Sequence, residues 1–120
     1  MAQPPSSGAV AYVDLHETVI ASATPYGQLG IEYEIEMLSL TFGAPFMKNV
    51  LDKCGSERVE GLTFIKEHVE VDVGHTEFNR RQLIQVLGEH PEFSAPLGEA
   101  GAKALEAYRQ FMTDCLDAIR

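Results

Sequence analysis

Along most of its length this chain repeats its apolar side chains every three or four residues, the period of one helix face. A chain patterned in that way is restricted to helices packed on helices. Tyr12, Val13, His16, Val19, Ile20 and Ala23 mark one face of a first helix over residues 9–23. Thr24 followed by Pro25 reads as the start of a second helix, because the fixed φ of proline suits the first helical position. Gly43 and Pro45 read as its end, just after Phe42. A short helix over 45–53, closed by Gly55, and a long one over 62–87, stopped by Gly88 and Pro91, come next. In a last helix Leu105, Tyr108, Met112, Cys115, Leu116 and Ile119 form one stripe. The expected fold class is therefore all-α, a bundle of about five helices.

The 120 residues suffice for one hydrophobic core and little more. They are expected to form a single helical domain over 9–120, after a Pro/Ser-rich mobile tail over 1–8 in which Ser6 or Ser7 can cap the first helix. Eighteen acidic residues against nine basic give a net charge of -9, a potential that repels phosphates and anionic headgroups. Nucleic acid and membrane surfaces are thereby excluded as expected partners. No apolar run approaches the roughly 20 residues that span a bilayer. "MAQPPSSGAV" has neither the basic nor the apolar region of a secretory leader, so cytoplasmic residence is expected. Cys54 and Cys115 lie far apart with no CxxC spacing, and no disulfide framework is indicated.

The chemistry concentrates in "FIKEHVEVDVGHTEFN", residues 64–79. On a helix turning about 100° per residue, His68, Asp72 and His75 fall at roughly 0°, 40° and -20°, and Asn79 extends the same row. Phe64, Ile65, Val71, Phe78 and Leu83 flank it, while Glu70, Glu77 and Arg81 take the opposite arc. The row is expected to face inward. Buried there, each polar group left unpaired costs about 1–3 kcal/mol, so the row must be satisfied. A bound Fe(II), Mn(II) or Zn(II) would do so, as imidazole and carboxylate are suitable ligands. A His-Asp-His hydrogen-bond network tying the helix to its neighbours would do so equally, and spacing leaves both open.

A metal needs ligands from a second element, and "LGIEYEIEMLSL" offers three glutamates on a helix that is apolar nearly all round. Glu36 stands among Leu29, Tyr33 and Leu40 and should point into the core. Glu34 lies on nearly the opposite arc and reads as solvated or salt-bridged, and Glu32 shares the Glu36 side as the reserve ligand. His16 lies on the buried face of the first helix and reads as a satisfied core histidine. His90, just before Pro91, reads as exposed.

An inward glutamate followed by H-x3-D-x2-H resembles the heme-oxygenase-like diiron oxidases and oxygenases, also described as iron-containing redox enzymes. The LG-x2-Y-x2-E core of "SATPYGQLGIEYEIEMLSLTFG" is similar to the glutamate-bearing helix of that family, and residues 64–79 look like its third ligand-bearing helix. The resemblance spans roughly residues 10–90 and matches the C-terminal half of a member, so the bundle is expected to be incomplete. It implies Glu36, His68, Asp72 and His75 as ligands to iron, one or two ions per site, with manganese possible. It also implies an oxidoreductase that uses dioxygen on a small organic substrate. The earlier ligand helices of the family have no counterpart in the residues before Glu36, and half a bundle exposes a large apolar face. A homodimer, or a partner chain completing the bundle, is therefore expected. The competing expectation is a non-catalytic helical interaction module that keeps the His/Asp row as a structural network.

Overall fold

The computed structural model describes residues 3–59 and 62–120, with the side chains of residues 58, 59 and 64 outside that description. Among the described residues the chain is an all-α four-helix bundle with one extra helical turn. The elements are α1 (Ser7–Ala21), α2 (Gln28–Cys54), the one-turn α3 (Ser56–Val59), α4 (Thr63–Glu89) and α5 (Ser94–Ala118). Short 3-10 turns at Pro25–Gly27 and Pro91–Phe93 lead into α2 and α5.

The N-terminal helix begins two residues before the expected Ala9. Ser6 caps it, its Oγ accepting from the Ala9 amide at 3.2 Å. The Asp114 carboxylate of α5 also accepts from Ser7 Oγ (2.9 Å) and the Gly8 amide (2.8 Å), so Ser7 and Gly8 are ordered helix rather than tail. The inward face of α1 differs from the expected one as well. Tyr12, Leu15 and Val19 pack on the core, whereas Val13 and Ile20 are exposed.

The larger correction concerns α2, which runs unbroken through Gly43 and Pro45 to Cys54, where Gly55 ends it at φ 77°. The expected break after Phe42 does not occur, and residues 45–53 belong to the same helix. Gly43 is a packing position: a Cβ there would fall on Cγ2 of Val69 in α4. Pro45 removes a single rung of the ladder. Its neighbours Thr41 and Ala44 are exposed, so the freed carbonyl lies on the solvent side of the helix. Gly88 is likewise internal to α4, which stops only at His90 and Pro91.

α2 is the central element, packing along α5 on one side and α4 on the other, and α5 in turn carries α1. The α2–α5 crossing is made by small residues. A Cβ on Gly30 would strike the Leu97 backbone, and one on Gly101 would meet the Glu34 stem at 2.8 Å and the Gly30 carbonyl oxygen at 3.1 Å. Gly8 meets the Phe111 backbone in the same way. The inward face of α5 is thus Leu97, Ala100, Gly101, Ala104 and Ala107. The expected stripe of large side chains is displaced outward, with Tyr108, Met112, Leu116 and Ile119 exposed. Close backbone approach selects the small face, since interhelical distance is set by the side chains at the contact. Ile31, Ala100 and Ala104 form the centre of the core.

Because α5 holds the Gly30 and Glu34 side of α2, Glu36, about 120–160° away around the helix, is turned toward α4. No described helix is long and apolar enough to cross a membrane.

Candidate metal centre

The α2–α4 contact sets the site. Val69, Leu83 and Val86 are partly buried on α4, and Asp72, Thr76 and Asn79 are buried among them at three- and four-residue spacing. The polar members of that stripe therefore meet α2 at the level of Glu36. Asn79 Nδ2 donates to Glu36 Oε2 at 2.8 Å. His75 Nδ1 stands 3.7 Å from Glu36 Oε1 and 4.0 Å from Asp72 Oδ1. One donor atom from each of Glu36, Asp72 and His75 lies within 4.8 Å of the others.

Three of the four expected ligands are thereby brought together. His68 does not join that group of donor atoms, although it lines the same cleft of about 410 Å³ together with Glu36, Asp72 and His75. The expected inward row is correct for Asp72 and Asn79 and incorrect for the histidines: His68 is exposed, and the His75 side chain keeps 62% of its surface. Among the described residues α4 rests on α2 and on no second long helix to a comparable extent, so only the narrow stripe through residues 69, 72, 76 and 79 is covered. Val71 and Phe78, expected in the interior, are exposed for the same reason, and Phe64 lies outside the described side chains. Glu70, Glu77 and Arg81 are exposed, as their arc predicts.

The remaining glutamates separate by face. Glu34, expected to be solvated or salt-bridged, lies along Gly101 of α5 and is half-buried. Glu32 is exposed at the cleft and accepts from Gln28 Nε2 at 3.3 Å. Gln28 Oε1 is 3.0 Å from His16 Nδ1, which links the cleft to α1. His16 is half-buried, and its Nε2 is buried without a partner. His90 is exposed beside Glu92, with 3.2 Å between Nδ1 and Oε1.

Tyr12, expected on the core face of the first helix, and Glu67, to which the sequence gives no role, also line the cleft. Tyr12 precedes His16 by one helical turn, and Glu67 precedes His68 directly, so proximity to histidine was the available signal. Burial pushes the Tyr12 phenol up, with the Glu32 charge adding to it, so the hydroxyl stays protonated and able to donate.

Among the described residues, the cleft walls carry Glu32, Glu36, Glu67 and Asp72 and no lysine or arginine. Burial raises the Glu36 carboxyl, the Asn79 hydrogen bond opposes that shift, and the Asp72 charge adds to it. Two carboxylates held together with no cationic side chain among the lining residues are what a divalent cation neutralises. The spacing fits as well, since ligand atoms about 2.1 Å from one ion stand roughly 3.0–4.2 Å apart. The two separations from His75 Nδ1, 3.7 Å to Glu36 and 4.0 Å to Asp72, fall within that range. Comparison with protein-family models, with curated proteins and with solved structures finds no match to this chain.

Proposed function

We propose that this protein binds a divalent redox metal, Fe(II) or Mn(II), at Glu36, Asp72 and His75 and serves an oxidation in which dioxygen acts on a small organic substrate. The observation that carries the reading is the convergence of three donor atoms of the right types within 4.8 Å in an acidic cleft. Mixed carboxylate and imidazole donors without thiolate suit these metals. The resemblance of the Glu36 helix and of H-x3-D-x2-H to the heme-oxygenase-like iron oxidases supports the choice of iron and of dioxygen.

When bound by Glu36, Asp72 and His75, the metal would supply a Lewis-acid and redox centre. The protein's own groups account for the rest. Asn79 donates to Glu36 Oε2, and Glu36 Oε1 lies 3.7 Å from His75 Nδ1. Tyr12 lines the cleft, and its hydroxyl, with a raised pKa, could donate to an anionic or oxygen ligand bound there. Ile35 provides apolar surface in the cleft against which a small organic molecule would pack.

Anaerobic Fe(II) titration followed by metal analysis tests the proposal. The wild-type protein should hold one ion per site. His75→Ala should weaken binding by about 10–100-fold, a penalty of the size known for disturbing metal ligands and their supports. Glu34→Gln, on the opposite side of α2, should leave affinity unchanged. A wild-type protein that takes up neither Fe(II) nor Mn(II) would leave a helical interaction module with Asn79, Glu36, Asp72 and His75 as a structural network.

A further inference from the structure

The chain exposes far more surface than a closed monomer of its mass. A folded protein of 13.2 kDa should present about 6,400 Å². This one presents 8424 Å², and its dimensions are 49 × 32 × 19 Å. Its radius of gyration is 16.3 Å against about 13.6 Å for a compact domain of this length. The excess of roughly 2,000 Å² per chain is what two copies would bury in an obligate homodimer interface of roughly 4,000 Å² in total.

Part of that open surface is the metal cleft itself. His68, Val71, His75 and Phe78 follow one another at helical spacing on α4 and all line the cleft or its continuation. The two apolar members are 50% and 59% exposed, so a partner covering them covers the histidines too. The site is also short of ligands on that side alone: Glu36 and Asp72 come from the buried α2–α4 seam, while the exposed His75 closes one edge.

We propose that a second copy of this chain seats on the cleft with the two α4 helices antiparallel across a two-fold axis beside Val71, so that His68 of each copy ligates the metal held by Glu36, Asp72 and His75 of the other. The inference rests on the metal reading above and names the partner of that site. The register follows from the sequence. An axis midway between positions 71 and 72 carries residue 68 of one helix onto residue 75 of the other. His68 and His75 stand two turns apart, about 10 Å along the helix, so within one copy a single ion does not take both. Across the axis each pair is brought face to face, with the Val71 side chains packed at the centre. Two acidic clefts brought together repel unless a cation is present, so metal and dimer each strengthen the other.

Complementation tests this directly. Wild type should have a mass near twice 13.2 kDa by light scattering, and Val71→Asp should reduce it to that of one chain with helical circular dichroism retained. His68→Ala and His75→Ala should each bind Mn(II) weakly as homodimers. Mixed by unfolding and refolding together, they should recover tight sites on about a quarter of the chains, because half of the dimers are mixed and each mixed dimer holds one complete site of two. Tight wild-type binding with no recovery on mixing would overturn the shared site and leave the single-chain site standing. A wild-type monomer that binds Mn(II) tightly would overturn it as well. A wild-type dimer that takes up no Mn(II) would overturn the metal reading and the shared site together.

Discussion

Gly30→Ala adds one methyl at the point where α2 crosses α5, and the structure fixes both the sign and the size of the effect. The new Cβ would fall against the Leu97 carbonyl, with its carbon at 2.9 Å and its Cα at 3.2 Å. These are backbone atoms, so no rotamer change relieves them and the two helices must separate. Overpacking of that kind costs about 1–3 kcal/mol, here toward the upper end. Alanine returns about 1 kcal/mol through its better helix propensity. The net loss is about 1–2 kcal/mol, or a melting temperature lower by roughly 4–8 °C in a domain of this size. Gly74→Ala is the control, because that glycine lies in α4 with nothing within 4 Å of an added Cβ. There only propensity acts, and the melting temperature should rise by about 4 °C. Thermal unfolding by circular dichroism reads both. Equal increases would refute the close crossing that turns Glu36 toward α4.

Two further outcomes follow from particular contacts. The Gly8 amide, Gln110 and Ser7 hold the Asp114 carboxyl below its usual range, so its contribution is present above the unfolded-state value and lost as pH falls through the folded one. Asp114→Asn should therefore lower the melting temperature at neutral pH and flatten its fall on acidification, and an unchanged profile would show that the clamp on α1 contributes nothing. Asn79 is buried and donates at 2.8 Å to Glu36, so Asn79→Ala should destabilise the metal-free protein by about 1–3 kcal/mol in a urea titration. A change within error would contradict the seam described between α2 and α4.

The readable part of this fold was the local part. Helical periodicity located α1, α4, α5 and the first part of α2, and the 3.6-residue repeat placed Asp72 and Asn79 on one face opposite Glu70, Glu77 and Arg81. The burial of His68 and His75 was not readable in the same way. It depends on how many helices lean on α4, and α2 alone covers too narrow an arc. Gly43 and Pro45 looked like punctuation because their local effect is to break helices. Gly43 instead admits Val69, and Pro45 sits on an exposed side. In α5 the large apolar stripe looked like the core face, but Gly30 and Gly8 allow backbones close enough that Ala100, Gly101 and Ala104 pack better. Pairing of small residues between distant segments is a tertiary fact, and no single helix reveals it.

The central claim is that Glu36, Asp72 and His75 hold one divalent cation between α2 and α4. Crystals grown with Mn(II), with anomalous diffraction recorded to locate the ion, test it most directly. The account predicts a single strong peak in the cleft, bonded to a carboxylate oxygen of Glu36, a carboxylate oxygen of Asp72 and a ring nitrogen of His75, with Asn79 still bound to the other oxygen of Glu36. A cleft with no anomalous peak at saturating Mn(II), or a peak held by other side chains, would contradict it.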